Sequence, residues 1–132
     1  MSDLIKAWVR VCALEDIPAN KARDVNINGQ RLVIARCGND AYILQGFCSH
    51  MLFPLGGSVL DGCTLTCNLH NSAFDIRDGS VQKWTPLQPL SEQVLDDIRE
   101  RKSLRTFETR VTDGDVYVLW TTDNPDSVRI RI

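Results

Sequence analysis

Two short runs, Cys48-Ser49-His50 and Cys67-Asn68-Leu69-His70, constrain this chain more than any other feature. Each places one thiol and one imidazole within a few residues, with residues 51–66 between them. The four side chains can meet only if two loops are folded over one point. Two Cys and two His brought together make a metal site, and tetrahedral zinc and an iron centre both accept such donors. A fold that carries the site must therefore bring two loop tips together, as a pair of hairpins can.

The residues around the two runs read as short strands separated by turns. Trp8-Val9-Arg10-Val11 alternates, and Val25-Asn26-Ile27 meets Leu32-Val33-Ile34-Ala35 across Asn28-Gly29, a type I′ hairpin signal. Gly38-Asn39-Asp40 turns the chain into Ala41-Tyr42-Ile43-Leu44, which leads to Cys48. Leu65-Thr66 leads into Cys67, and Ala73-Phe74-Asp75-Ile76 leaves His70 and turns at Asp78-Gly79 into Ser80-Val81. Phe107 to Val111 and Val116 to Trp120 flank Asp113-Gly114, a last hairpin. The pattern predicts an all-β sandwich or small barrel, with a three-strand insertion at about residues 46–86 bearing the metal as its own subdomain. One segment differs. Ser91 can cap a helix whose apolar face is Val94, Leu95 and Ile98, predicting a short extra helix near residues 91–103.

With 132 residues there is material for one domain, 1–132, and no second catalytic domain. A net charge of -2 offers no basic field for nucleic acid. Neither an apolar signal core nor a membrane-length apolar stretch occurs, so the expected location is the cytoplasm. Of the five cysteines, Cys12, Cys37 and Cys63 have no spacing that suggests a disulfide framework. They are expected as free thiols, with Cys12 and Cys37 acting as small buried hydrophobes and Cys63 structural.

Over roughly residues 6–120 the sequence resembles Rieske-type ferredoxins. Besides the Cys/His runs, Leu55-Gly56-Gly57 matches the turn after the first ligand loop and Phe74-Asp75 the pair after the second. Asp78-Gly79-Ser80-Val81 and Trp84-Thr85-Pro86-Leu87 match the hairpin and proline loop that cover the cluster. The resemblance implies a Rieske-like fold and one 2Fe-2S cluster, with Cys48 and Cys67 on the inner iron and His50 and His70 on the outer one. Neutral imidazoles leave the cluster less negative than four thiolates would, which eases electron acceptance. Zinc remains the rival for the ligands alone. Zinc modules usually space paired ligands two to four residues apart, so the one-residue gap in Cys48-Ser49-His50 and the flanking hairpins favour iron.

Since His50 and His70 are the only histidines, no imidazole is left for general-base chemistry or a mononuclear iron. The resemblance thus implies a monomeric electron carrier, not an enzyme. It would take electrons from an NAD(P)H-dependent flavin-containing ferredoxin reductase and pass them to a terminal oxygenase. A second reading makes it the small Rieske subunit of a reductase such as nitrite reductase. Phe53 and Leu69 occupy positions where quinol-oxidising relatives carry a disulfide, and Asn71 replaces the usual glycine after the last histidine. Ser72 matches a serine that bonds a cluster sulfide in high-potential relatives, whereas Phe74 lacks their tyrosine hydroxyl. The apolar run Met51-Leu52-Phe53-Pro54-Leu55 is expected to help dock partners.

Overall fold

Turn residues set the course of the chain. The computed structural model describes residues 4–48, 54–67, 72–83 and 103–132. Within them run β1 (Ile5–Ala13), β2 (Arg23–Ile27), β3 (Gln30–Cys37), β4 (Asp40–Gln45), β5 (Val59–Asp61) and β6 (Thr64–Thr66). The order continues with β7 (Ala73–Asp75), β8 (Val81–Lys83), β9 (Thr106–Phe107), β10 (Thr109–Thr112), β11 (Asp115–Thr122) and β12 (Ile130–Arg131). Asn28 and Gly29, at φ 52° and 85°, close β2 onto β3 with Ile27 opposite Gln30. Asp113 and Gly114, at 52° and 78°, do the same between β10 and β11. These are the paired positive φ values that Asn-Gly and Asp-Gly predict.

The strands form three antiparallel sheets among the described residues: β1-β11-β10, β12-β2-β3-β4-β9 and β5-β6-β7-β8. The five-stranded sheet lies between the others and is buried on both faces. Val25, Ile27, Leu32, Ile34 and Ile43 pack with Val11, Val116 and Val118 of the first sheet. On the opposite face Val33, Ala35 and Leu44 pack with Leu55, Leu60, Leu65, Phe74 and Ile76. Successive side chains on a strand point to opposite faces, so the unbroken run Leu32-Val33-Ile34-Ala35 feeds both cores at once. Each fully buried Leu, Ile or Val side chain contributes about 1.5–3 kcal/mol.

The all-β expectation holds, with three corrections. The stretch from Phe107 to Val111 is not one strand. Thr106–Phe107 pairs with β4 and Thr109–Thr112 with β11, and the chain changes sheets at Glu108, whose carbonyl accepts from the Leu119 N–H at 2.8 Å. The small sheet has four strands where three were expected, because Val59–Asp61 pairs with Thr64–Thr66 as an additional edge strand. Cys37 and Cys63 are joined in a disulfide, with Cα atoms 5.2 Å apart, which overturns the expectation of free thiols at these two positions, while Cys12 is a free thiol as expected. The helix expected at 91–103 lies outside the described residues. No helix among the described residues is long and apolar enough to cross a membrane.

Candidate metal centre

Both Cys/His runs start where a strand or bridge ends, and each loop is pinched at its base by backbone bonds. After β4, Phe47 bridges Pro54, and the Leu55 N–H donates to the Gly46 carbonyl at 2.8 Å. Cys48 therefore opens a loop whose two ends are held together. After β6, the Cys67 N–H donates to the Ser72 carbonyl at 2.8 Å and Thr66 pairs with Ala73, closing the second loop in the same way.

The small sheet that carries the second loop is fastened to the rest of the chain by further backbone bonds. The Ala22 N–H donates to the Ser58 carbonyl (2.9 Å), the Gly57 N–H to the Ala22 carbonyl (2.8 Å) and the Leu60 N–H to the Asn20 carbonyl (2.9 Å). On the β7–β8 side the Leu104 N–H donates to the Gly79 carbonyl (2.8 Å).

The fold brings the two sequence-predicted thiol ligands into one buried apolar cluster. Cys48 is 0% and Cys67 1% exposed, and both share that cluster with Leu55, Leu65 and Phe74. His50 and His70 lie outside the described residues, as do Met51, Leu52 and Phe53 of the predicted docking rim. Ser72 is fully buried next to the second loop, and Phe74 is buried two residues further on, in β7. Neither Cys48 nor Cys67 is in the disulfide. Thiolates in apolar surroundings require a neutralising cation, and this donor set fits an iron–sulfur group.

Cys12 behaves differently. Burial, reinforced by Asp16, pushes its thiol above the usual range, consistent with a small inert hydrophobe.

Sequence reading also missed an ion pair at the end of β7 between a largely covered carboxylate and an exposed guanidinium. Asp75, 9% exposed, accepts from Arg77 Nη2 (2.7 Å), Arg77 Nε (3.0 Å) and the Arg77 N–H (2.9 Å). The guanidinium bonds hold the carboxyl below the usual carboxylate range, with burial opposing and the Arg77 N–H adding to the fall. A carboxylate depressed in the folded state stabilises fully above its unfolded pKa of about 3.9 and loses that contribution as pH falls through the folded value. Asp75→Asn is therefore expected to lower the thermal midpoint at neutral pH by about 3 °C, the exposed guanidinium being screened by water. The gap from the parent protein should close as pH drops below about 4. Calorimetry across pH checks both.

Comparison with known proteins then decides the family. The Rieske [2Fe-2S] domain family matches residues 7–108. The chain belongs to the Rieske [2Fe-2S] family. Membership implies one Rieske-type 2Fe-2S cluster. Over 112 residues this Rieske protein is 29% identical to Ferredoxin CarAc of Metapseudomonas resinovorans, covering 84% of the chain and 92% of that protein. It is also similar to the structure of a complex of reduced oxygenase and oxidised ferredoxin in carbazole 1,9a-dioxygenase. The TM-score is 0.63 at 28% identity, covering 83% of this chain and 99% of the matched one. A Mycobacterium tuberculosis protein assigned as an NADH-dependent nitrite reductase small subunit shares the fold. There the TM-score is 0.66 at 16% identity, with 88% of this chain and 96% of the other covered.

Proposed function

We propose that this Rieske protein is a ferredoxin, carrying single electrons from an NAD(P)H-dependent flavin reductase to a terminal oxygenase. It acts in the cytoplasm as a monomer and converts no substrate itself. In this reading residues 1–132 form a single Rieske domain whose cluster-binding subdomain spans about residues 46–86. Cys48 and Cys67 hold the inner iron and His50 and His70 the outer iron. The observation that carries the reading is the pair of pinched loops, each beginning at a buried cysteine and each containing one of the chain's two histidines.

When bound, the cluster supplies reversible one-electron transfer. The chain's own residues do the rest. Leu55, Leu65 and Phe74 exclude water from the thiolate side, and the backbone bonds at each loop base fix where the loops begin and end. With both histidines committed, no imidazole remains to bind a mononuclear iron or act as a general base.

The test is transfer itself. Reduced by one electron under argon and mixed with the oxidised oxygenase of carbazole 1,9a-dioxygenase, the protein is expected to reoxidise as the oxygenase is reduced. The shared fold of the nitrite reductase small subunit defines the competing result: no transfer, together with copurification of a large reductase subunit from its native host.

The potential is expected in the lower part of the Rieske range of about -150 to +300 mV, because Phe53, Leu69 and Phe74 supply neither a disulfide nor a hydroxyl at the matching positions. Ser72→Ala is expected to lower it further. A hydrogen bond to a charged group contributes roughly 1.5–3 kcal/mol, equivalent to roughly 65–130 mV for one electron, and only the part that differs between oxidation states counts. A fall of tens of millivolts in protein-film voltammetry is the expected result. A parent potential above about +200 mV would contradict the assignment.

A further inference from the structure

The disulfide joins the tips of two hairpins that belong to different sheets. Cys37 ends β3 opposite Asp40, beside Gly38 at φ 65°. Cys63 sits in the β5–β6 turn beside Gly62 at φ 61°. The bond thus ties the five-stranded sheet to the small sheet across a sequence separation of 26. It adds a covalent link to the backbone bonds at Ala22, Ser58 and Gly79 that also fasten the small sheet. From Cys63 the chain runs directly through Thr64–Thr66 into Cys67, and the Cys63 carbonyl accepts from the Ile76 N–H at 2.9 Å. Both cystine residues pack against the apolar cluster that contains Cys48 and Cys67. Both are half-buried, so a small reductant can reach the bond. Arg36 Nε donates to the Gly38 carbonyl at 2.9 Å, placing a cation at the Cys37 turn where a thiolate would form.

We propose that Cys37 and Cys63 form a reversible thiol–disulfide modification site whose oxidised form clamps the hairpin leading to Cys67 and whose reduction loosens the hold on the cluster. The second half of this statement rests on the cluster assignment above. Reduction is thiol–disulfide exchange with a dithiol. One thiolate of the dithiol attacks a cystine sulfur, a mixed disulfide forms, and the second thiol displaces it. Two electrons and two protons pass to Cys37 and Cys63 while the dithiol becomes a disulfide. Exchange with a low-molecular-weight disulfide runs the reaction backwards and restores the clamp.

The test uses the full-length holoprotein with dithiothreitol as the dithiol. Thiols are blocked with N-ethylmaleimide, and the chain is then cut before aspartates, which separates Cys37 (peptide 24–39) from Cys63 (peptide 61–74, which also carries Cys67), and fragmentation of the second peptide tells position 63 from position 67. The peptides linked through Cys37 and Cys63 are expected from air-equilibrated protein, and blocked thiols at both of these positions after dithiothreitol, with the link returning in oxidised glutathione. The second readout is the rate at which an iron chelator bleaches the visible absorbance. It should rise about tenfold when the link is opened. The rise should be the same in Cys37→Ser, Cys63→Ser and the double variant, since all three break one bond. If the variants fail to assemble, the comparison of oxidised with reduced parent protein decides. Absence of the linked peptides, a link that dithiothreitol does not open, or bleaching unchanged by opening it would each overturn the proposal. A reversible link in protein that carries no iron would uphold the thiol site and overturn the cluster assignment instead.

Discussion

Cys48→Ser and Cys67→Ser are each expected to give protein without visible absorbance and with iron and acid-labile sulfide near background, while Cys12→Ala keeps both. A serine in place of either buried cysteine removes a thiolate that an alkoxide cannot replace near neutral pH, and it leaves a hydroxyl in an apolar cluster at a cost of about 1–3 kcal/mol. His50→Ala and His70→Ala are expected to lose or destabilise the cluster as well. Ligand loss also removes the binding free energy that a metal group adds to folding, so the cysteine variants should melt well below the holoprotein. Elemental analysis with a sulfide assay separates these outcomes. Retention of full iron by either cysteine variant would mean that the fourth donor lies elsewhere.

Gly79→Ala is expected to cost roughly 3 kcal/mol or more, far beyond Gly57→Ala at roughly 1 kcal/mol. Both glycines have positive φ, 77° and 81°. The space around Gly57 is open, whereas a methyl group on Gly79 would collide with the Leu104 carbonyl and approach the Thr106 Cγ2 at 3.1 Å. Backbone is on the other side of that contact, so it cannot move aside as a side chain could. The contrast with Gly56 is instructive, since the atoms facing its missing Cβ belong to the carboxylate of exposed Asp24, which can rotate away. Gly79 is also where the small sheet meets the returning chain, through the Leu104 N–H. Its substitution should loosen the second loop and lower the urea midpoint together. Equal costs at positions 57 and 79 would show that backbone conformation, rather than the close approach, limits both.

Local chemistry made most of the β architecture legible. Asn28-Gly29 and Asp113-Gly114 need positive φ at both turn positions, which few dipeptides adopt without strain, so they announced their hairpins directly. The same holds for the strands that open onto Cys48 and Cys67, bounded by turn residues on the other side. The run Leu32-Val33-Ile34-Ala35 also carried, in its lack of alternation, the fact that its sheet is covered on both faces. What stayed hidden depends on contacts between distant segments. Cys37 and Cys63 each sit beside a turn glycine, but nothing in either turn says that the two tips meet. The change of sheet at Glu108 interrupts no hydrophobic pattern, because Phe107 and Val111 serve different strand partners from one continuous segment. The Asp75–Arg77 pair was hidden for a related reason. An Asp followed two residues later by Arg is common at a turn, and the sequence does not show that the fold covers the carboxylate while leaving the guanidinium exposed. At the site, the spacing singled out Cys48 and Cys67, which the fold places in one apolar cluster, and the ligand roles of these two and of His50 and His70 belong to the proposal.

Electron paramagnetic resonance of the dithionite-reduced protein, grown with 15N-histidine and quantified beside iron and sulfide, tests the central claim most directly. The expected result is about two iron and two sulfide per chain, a signal with the low average g of mixed nitrogen and sulfur ligation, and nitrogen coupling from two histidines that changes with the histidine label and falls to that of one histidine in any cluster that His50→Ala or His70→Ala retains. A folded, colourless protein containing zinc, or a cluster signal that the histidine label leaves unaltered, would contradict it.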